Sequence, residues 1–252
     1  MLHFDEIAFG PIFSRRLGSS LGVNILPREG KTCNFDCVYC ECGWNRDGIS
    51  KGGFPKLEQV RKALENKLSM ASENGTGIDS ITFSGNGEPT LNPDFAQIID
   101  ATIELRDRYF PKAQVSVLSN ASLVGRDDVF RALMKVDNAI LKLDALSEEL
   151  VACINRPSGN YRIDDVIEGM KKFEGRFVLQ TMFLKSPDFD TASEEALGRW
   201  RSIVRMLKPR KVMVYTIDRE TPDKSLSKCS REEMAEYAGP LIEEGFDVQI
   251  SG

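Results

Sequence analysis

Four of the six cysteines fall within ten residues, in the segment KTCNFDCVYCECGWN, while Cys153 and Cys229 stand alone. Cys33-x3-Cys37-x2-Cys40 puts three soft thiols on one short loop. Thiolates suit iron-sulfur centres, and three of them can each bind one iron of a four-iron cluster and leave the fourth iron open. A structural zinc, with Cys42 as fourth ligand, is the alternative. Zinc prefers paired C-x2-C knuckles or Cys/His mixtures, however, and a C-x3-C-x2-C-x-C run makes an awkward tetrahedron. Cys42, Cys153 and Cys229 are read as thiols that ligate nothing, since free cysteine is commonly buried. The only histidine, His3, leaves no ready imidazole for a Ser-His-Asp triad, a Cys-His dyad or a multi-histidine zinc site.

Such a loop needs a scaffold, and the periodicity of the chain describes one. Short β-branched or apolar runs begin near Val23, Ser80, Gln114, Ala139, Phe177, Val212 and Asp247. Helical stripes lie between them. Leu57, Val60, Leu64, Leu68 and Ala71 follow Pro55, which is placed in a first helical turn. Asn92-Pro93-Asp94, read as N-cap, N1 proline and first-turn acid, leads into Phe95, Ile98, Thr102, Leu105 and Tyr109. Two later stripes are Ala196, Trp200, Ile203, Val204, Leu207 and Met234, Tyr237, Ala238, Leu241. Strands alternating with helices predict a parallel sheet with right-handed crossovers. A complete eight-unit barrel takes about 250 residues, and here the entry segment and the cysteine loop (27–54) consume too many of the 252. The expected fold is α/β, an incomplete (β/α)6 TIM-like barrel, with residues 1–252 forming a single domain.

In such a barrel the carboxyl ends of the strands form the active face, and five further strands carry polar residues there. Gly85 and Gly87 in SGNGEPT let the backbone approach a ligand, and Glu88 offers an acceptor to an ammonium group. Ser119 and Asn120 can bond ligand hydroxyls or a carboxylate. Lys142 and Asp144 share a strand face because side chains alternate, and burying them requires pairing or a ligand. Gln180 interrupts an apolar run, and Tyr215 and Thr216 end the next strand. The turn at Asn155-Arg156-Pro157-Ser158-Gly159 adds a cation on the same face as a substrate contact.

The cysteine spacing, with Tyr39 immediately before Cys40, resembles the signature of the radical S-adenosylmethionine (radical SAM) superfamily. The resemblance implies a [4Fe-4S] cluster on Cys33, Cys37 and Cys40, whose open iron takes the amino and carboxylate groups of SAM. Electron transfer from the cluster then cleaves SAM to methionine and a 5′-deoxyadenosyl radical. It further implies a SAM site that draws on Tyr39, Gly85, Gly87, Glu88, Ser119, Asn120, Lys142, Asp144, Gln180 and Tyr215, and a reducing partner such as flavodoxin or ferredoxin. GPIFSRRLGSSLGVNILP, with SGNGEPTL, VLSNASL and LKLDA, is similar to a group related to the wyosine-base synthases of tRNA. Those enzymes carry an additional cysteine trio that this sequence lacks. That absence speaks against their pyruvate-condensing chemistry. A tRNA-modifying role still stands ahead of an activase of a glycyl radical enzyme or a peptide-modifying enzyme, because the activase resemblance covers the cysteine loop but not GPIFSRRLG. A non-catalytic metal-binding or electron-carrier protein is the reading from another class.

Composition narrows the partners. With 33 Lys+Arg against 38 Asp+Glu the net charge is −5, no reason to expect general nucleic-acid binding. Arg15-Arg16, among Gly18, Ser19, Ser20 and Gly22, is either an anion-binding nest or a solvated turn. Six cations and no acid lie between Arg199 and Lys211, read as a solvated helix face ahead of an RNA contact. No apolar run approaches the roughly 18 residues that span a bilayer, and the N-terminus has no signal pattern. A cytoplasmic monomer acting on RNA, protein or a small molecule is expected.

Overall fold

The computed structural model describes residues 4–14, 17–45 and 52–252. The readings placed on His3, Arg15 and Arg16 lie outside the described residues. Eight strands form one curled sheet in the order β1-β2-β3-β4-β5-β6-β8-β10. The parallel members are β2 (Gly18–Val23), β3 (Ser80–Phe83), β4 (Gln114–Ser119), β5 (Asn138–Lys142), β6 (Val178–Met182), β8 (Lys211–Tyr215) and β10 (Val248–Ser251). The strand β1 (Ala8–Ser14) adds antiparallel to β2. This is the expected partial barrel, extended by one strand at each edge. A two-residue ribbon, β7 (Leu184–Lys185) with β9 (Ser227–Lys228), lies outside it.

Alternation along each strand separates two environments. Ile81 and Phe83, Val115 and Val117, Leu141, Leu179, Val212 and Val214 face outward into a core closed by the helices. Those helices are α1 (Leu57–Glu73), α2 (Phe95–Tyr109), α3 (Asp127–Leu133), α5 (Ile163–Lys171), α6 (Glu194–Leu207) and α7 (Arg231–Glu243), while α4 (Glu148–Ile154) packs with the cysteine loop. The expected stripes are the buried ones: Val60, Leu64, Leu68 and Ala71 on α1, Trp200, Val204 and Leu207 on α6. The inward-facing residues are small and polar on one side, where Ser20, Thr82, Ser80 and Ser116 form a buried hydroxyl chain with links of 2.7 to 3.0 Å. On the other side Ile140, Val178 and Met213 form a small apolar floor.

Three local expectations are corrected. The first parallel strand ends at Val23 rather than beginning there, because Asn24 turns the chain by accepting from Leu26 N–H at 3.2 Å. Helix α1 begins at Leu57, so Pro55 precedes the cap Lys56. The cap of α2 is Asp94, while the Asn92 side chain accepts from Asp94 N–H at 2.8 Å and donates to the carbonyls of Ile25 and Pro55. On either side of Arg15 and Arg16 the opening segment pairs as β1 against β2. A Cβ at Gly22 would meet the Phe9 ring at 2.2 Å, so only glycine lets that ring close over the strand.

Candidate active site

The cysteine loop leaves β2 and closes on itself through its own polar groups. Asp36 accepts from Asn45 N–H at 2.7 Å, and the Asn45 amide donates to the carbonyls of Cys33 and Phe35. The loop's apolar residues Val38 and Tyr39 pack with Ala145, Val151, Ile154 and Met182 in a separate small core. The segment after α4 also lies along the loop. Asn155 and Ser158 bond the Asp36 and Asn34 backbone, Pro157 pairs with Phe35, and Arg156 sits 4.9 Å from the Trp44 ring. These residues, read from sequence as a substrate contact, are brought against the cysteine loop.

The SGNGEPT turn meets the loop from the other side. Thr32 N–H donates to Asn86 O at 2.7 Å, and Glu88 N–H donates to Thr32 O at 3.1 Å. Gly87 has φ +139°, and a Cβ there would stand 1.9 Å from the Thr32 carbonyl oxygen; at Gly85 it would strike the Asn24 side chain at 2.3 Å. Both glycines are therefore required by protein-protein contact, whatever a ligand requires. Asn86 between them is fully buried, with its side chain bonding Phe4 and the Pro27 carbonyl.

A cavity of about 490 Å³ opens above the strand ends. Its wall includes Cys33, Cys37, Tyr39, Cys40 and Cys42 from the loop, Gly85, Gly87 and Glu88 from the turn, and Ser119 and Asn120 from β4 and its end. Lys142, Gln180, Tyr215 and Thr216 complete it from β5, β6 and β8. Of the residues expected at the SAM site, Asp144 alone does not line this cavity. It borders a neighbouring one of about 260 Å³, behind Tyr39 and Lys142.

Two buried polar networks hold the walls. Glu88 accepts from Thr90 N–H and hydroxyl, from the Ser119 hydroxyl at 2.9 Å and from Asn120 N–H at 2.6 Å. Burial pushes its carboxyl up against the opposing effect of these donors. Opposite, Tyr39 donates to Asp144, Lys142 bonds the Tyr215 hydroxyl, and Lys142 lies 3.8 Å from Asp144. The Asn155 amide nitrogen reaches Asp144 at 3.0 Å, Tyr39 at 3.1 Å and Cys37 Sγ at 3.5 Å. Left-handed residues follow both site asparagines, Ala121 at φ +63° and Arg156 at φ +46°. Such strain persists where surrounding contacts over-determine it.

The thiols differ sharply. Burial is the main cause of a raised Cys33, with Cys37 and then Glu88 adding to the rise. Cys37 is pushed up to about 11 by burial and by Cys40, with Lys142 and Asn155 opposing. Cys40 is brought down to about 6, chiefly by a hydrogen bond from Cys42 and also by Lys31. Phe35 N–H donates to Cys33 Sγ at 3.4 Å, and the Asn120 amide lies 3.8 Å from it. Each of the three sulfurs thus has donors of its own. Among the described residues no three His, Cys, Asp or Glu side chains converge closely enough to hold one metal ion. A cluster asks something different, because each thiolate meets a different iron. Three thiols lining one cavity, each supplied with donors, fit that group. Cys229 is buried in the main core and Cys153 is exposed on α4.

Fold and site together define a partial (β/α) barrel with a thiol-lined cavity at its carboxyl face. The sequence profile of the Radical SAM superfamily matches residues 30–184, and the chain belongs to that superfamily. It is 33% identical to a UPF0026 protein of Methanocaldococcus jannaschii over 86% of this chain and 65% of that protein. A UPF0026 protein of Helicobacter pylori is 30% identical over 97% of this chain and 76% of that protein. Among solved structures, Streptococcus suis SuiB bound to S-adenosylmethionine superimposes with a TM-score of 0.66 at 19% identity, covering 92% of this chain and 50% of SuiB. The chain thus spans about two thirds of the Methanocaldococcus relative and half of SuiB.

Proposed function

We propose that the protein is a cytoplasmic radical SAM enzyme in which Cys33, Cys37 and Cys40 hold a [4Fe-4S] cluster and the cavity holds SAM. When bound, the cluster supplies the electron for reductive cleavage of SAM, and the resulting 5′-deoxyadenosyl radical abstracts hydrogen from the substrate. The observation that carries this reading is convergence: residues from the cysteine loop, the SGNGEPT turn and four strands line one cavity.

The chain's own groups have distinct tasks. Glu88 presents a buried negative charge whose protein partners are the neutral groups of Thr90, Ser119 and Asn120. An ammonium group brought by a ligand balances it. Lys142, held charged by Asp144 and Tyr215 against the effect of burial, offers a cation to the ligand's carboxylate. The apolar floor and the Tyr39 and Tyr215 rings exclude water from the reacting centre. A low-potential electron donor such as flavodoxin or ferredoxin supplies the reducing equivalents, and the protein works as a monomer.

A tRNA base remains the leading substrate class, on the similarity of residues 10–27 and of the strand-end phrases. The cations between Arg199 and Lys211 add little to it. Arg199 pairs with Glu195 at 2.9 Å, Arg205 with Glu244 at 2.6 Å and Lys211 with Asp247 at 3.4 Å, and Arg201 donates to the Tyr237 carbonyl. The rim offers Ile12 and Phe13, the latter 82% exposed, beside the Arg219–Glu41 ion pair.

Anaerobic reconstitution tests the reading. About four irons per chain and 5′-deoxyadenosine formed from SAM under reduction are expected, both lost in Cys37→Ala. A chain that binds zinc alone and no SAM overturns it. Comparing modified nucleosides and peptides in cells with and without the protein then separates the substrate classes.

A further inference from the structure

Asn155 caps the C-terminus of α4, and the fold fixes it from both sides. Its N–H donates to Val151 O at 2.9 Å, its carbonyl accepts from Asp36 N–H at 3.0 Å, and the next residue, Arg156, takes φ +46°. The residue is 5% exposed. Its amide nitrogen lies 3.0 Å from Asp144 Oδ2, 3.1 Å from the Tyr39 hydroxyl and 3.5 Å from Cys37 Sγ, a hydrogen-bond distance for an atom as large as sulfur. A carboxylate and a thiolate have no hydrogen to give, so the nitrogen of the amide, not its oxygen, must face them. That nitrogen carries two hydrogens. The Asp144 and Tyr39 oxygens bond each other and can share one, which leaves the second for the sulfur. Asn155 does not line the cavity, whereas Cys37 does, so a group held there meets the sulfur and not the amide behind it.

We propose that Asn155 is a positioning residue that raises the reduction potential of the cluster through its N–H bond to the Cys37 sulfur. The inference rests on the cluster reading above. Reduction brings one electron from the donor, and no bond forms or breaks at Asn155. Part of the added negative charge falls on the ligating sulfurs, where a donated hydrogen bond stabilises it. The reduced state therefore gains more from the bond than the oxidised one, which is how hydrogen bonds to the sulfurs set cluster potentials. Burial enlarges the effect, because a hydrogen bond is electrostatically stronger inside the protein than in water.

The test is a potentiometric titration of the reconstituted, SAM-free protein with dithionite as reductant, followed by electron paramagnetic resonance, with iron counted in parallel. Asn155→Leu keeps the volume and removes the donor; with full iron it should shift the one-electron equilibrium about tenfold toward the oxidised state, about 59 mV lower in potential. Val151→Ala loosens the same small core but removes no hydrogen bond to a sulfur, and its potential should stay close to that of the native protein. Should Asn155→Leu hold no iron, the shorter Asn155→Ser decides, with a shift expected in the same direction. An unchanged potential in the deciding variant overturns the proposal, and so does an equal shift in Val151→Ala, which would trace the effect to packing. Loss of iron from both Asn155 variants overturns it too, since the residue would then hold the loop rather than tune the cluster. A native chain that takes up no iron overturns the cluster reading itself, an outcome distinct from a loaded cluster of unaltered potential.

Discussion

Two buried carboxylates flank the cavity, and the chain treats them in opposite ways. Glu88, 2% exposed, is held by neutral donors from its own turn and from the end of β4. Asp144, 8% exposed, has the Tyr39 hydroxyl, the Asn155 amide, Met182 N–H at 3.0 Å and a lysine at 3.8 Å. A buried charge without a countercharge is expensive. One side of the site is therefore electrostatically complete, while the other holds a buried carboxyl with neutral donors only, which a cationic ligand group would complement. The same asymmetry reaches the cysteines, since Glu88 raises Cys33 whereas Lys142 opposes the rise at Cys37.

The largest break in this comparison comes from Asp144→Asn. It leaves Lys142 facing Tyr215 and the Cys37 thiol with no carboxylate, and a broken buried pair costs about 3 kcal/mol. Urea unfolding of the metal-free chain should show that loss, and Asp144→Asn combined with Lys142→Met should recover most of it. Glu88→Gln removes no ion pair, but its amide nitrogen cannot accept the Asn120 N–H bond, so its cost should be about 2 kcal/mol, below that of the broken pair. Equal losses for the two single variants would contradict the asymmetry.

SAM binding should reverse the ranking. Glu88→Gln is expected to weaken SAM affinity by about tenfold or more, the scale of a hydrogen bond to a charged group. Asp144→Asn should weaken it less, because Asp144 lies behind the cavity wall. Calorimetric titration of the reconstituted proteins measures both. A stronger effect at Asp144 would place the ligand's ammonium on the other side of the site.

A smaller effect sharpens the picture at the thiols of the iron-free chain. A thiolate forms above its pKa, so alkylation of Cys40 should rise through about pH 6 and level off by neutral pH. Cys37 should continue to gain reactivity toward about pH 11, and Cys33 should lag behind it. Peptide mapping after timed anaerobic alkylation at pH 5 to 9 reads the order, and uniform labelling would contradict it.

The polar residues of the site were legible one motif at a time, because each lies on a short contiguous phrase at a strand end. Their mutual contacts were not. Glu88 meets Ser119 and Asn120 from 31 and 32 residues away, so three residues read as ligand contacts partly satisfy one another. Asn155 lies 118 residues from the Cys37 sulfur it approaches, and nothing local marks it as more than a turn residue. No motif marks Lys31, which is buried only because the loop folds around it. The two glycines were legible as close approaches, but their neighbours are Thr32 and Asn24. Strand β1 escaped because Gly10-Pro11 interrupts its alternation and its register shifts between Phe9 and Ile12.

The smallest expected effect lies at the periphery, where charge is plentiful and cheap. Arg205 and Glu244 pair at 2.6 Å, but their side chains are 43% and 40% exposed, so water screens both. Exposed pairs of this kind contribute about 0.2 to 1 kcal/mol, and Arg205→Ala should fall in that range in urea unfolding. It should also leave the salt dependence of tRNA binding unchanged, because a guanidinium already bound to Glu244 releases few phosphate counterions. A fall in the salt slope by about one unit would instead show that the pair opens to admit a phosphate. That result would bring α6 into the substrate surface and move part of the recognition away from the cavity mouth.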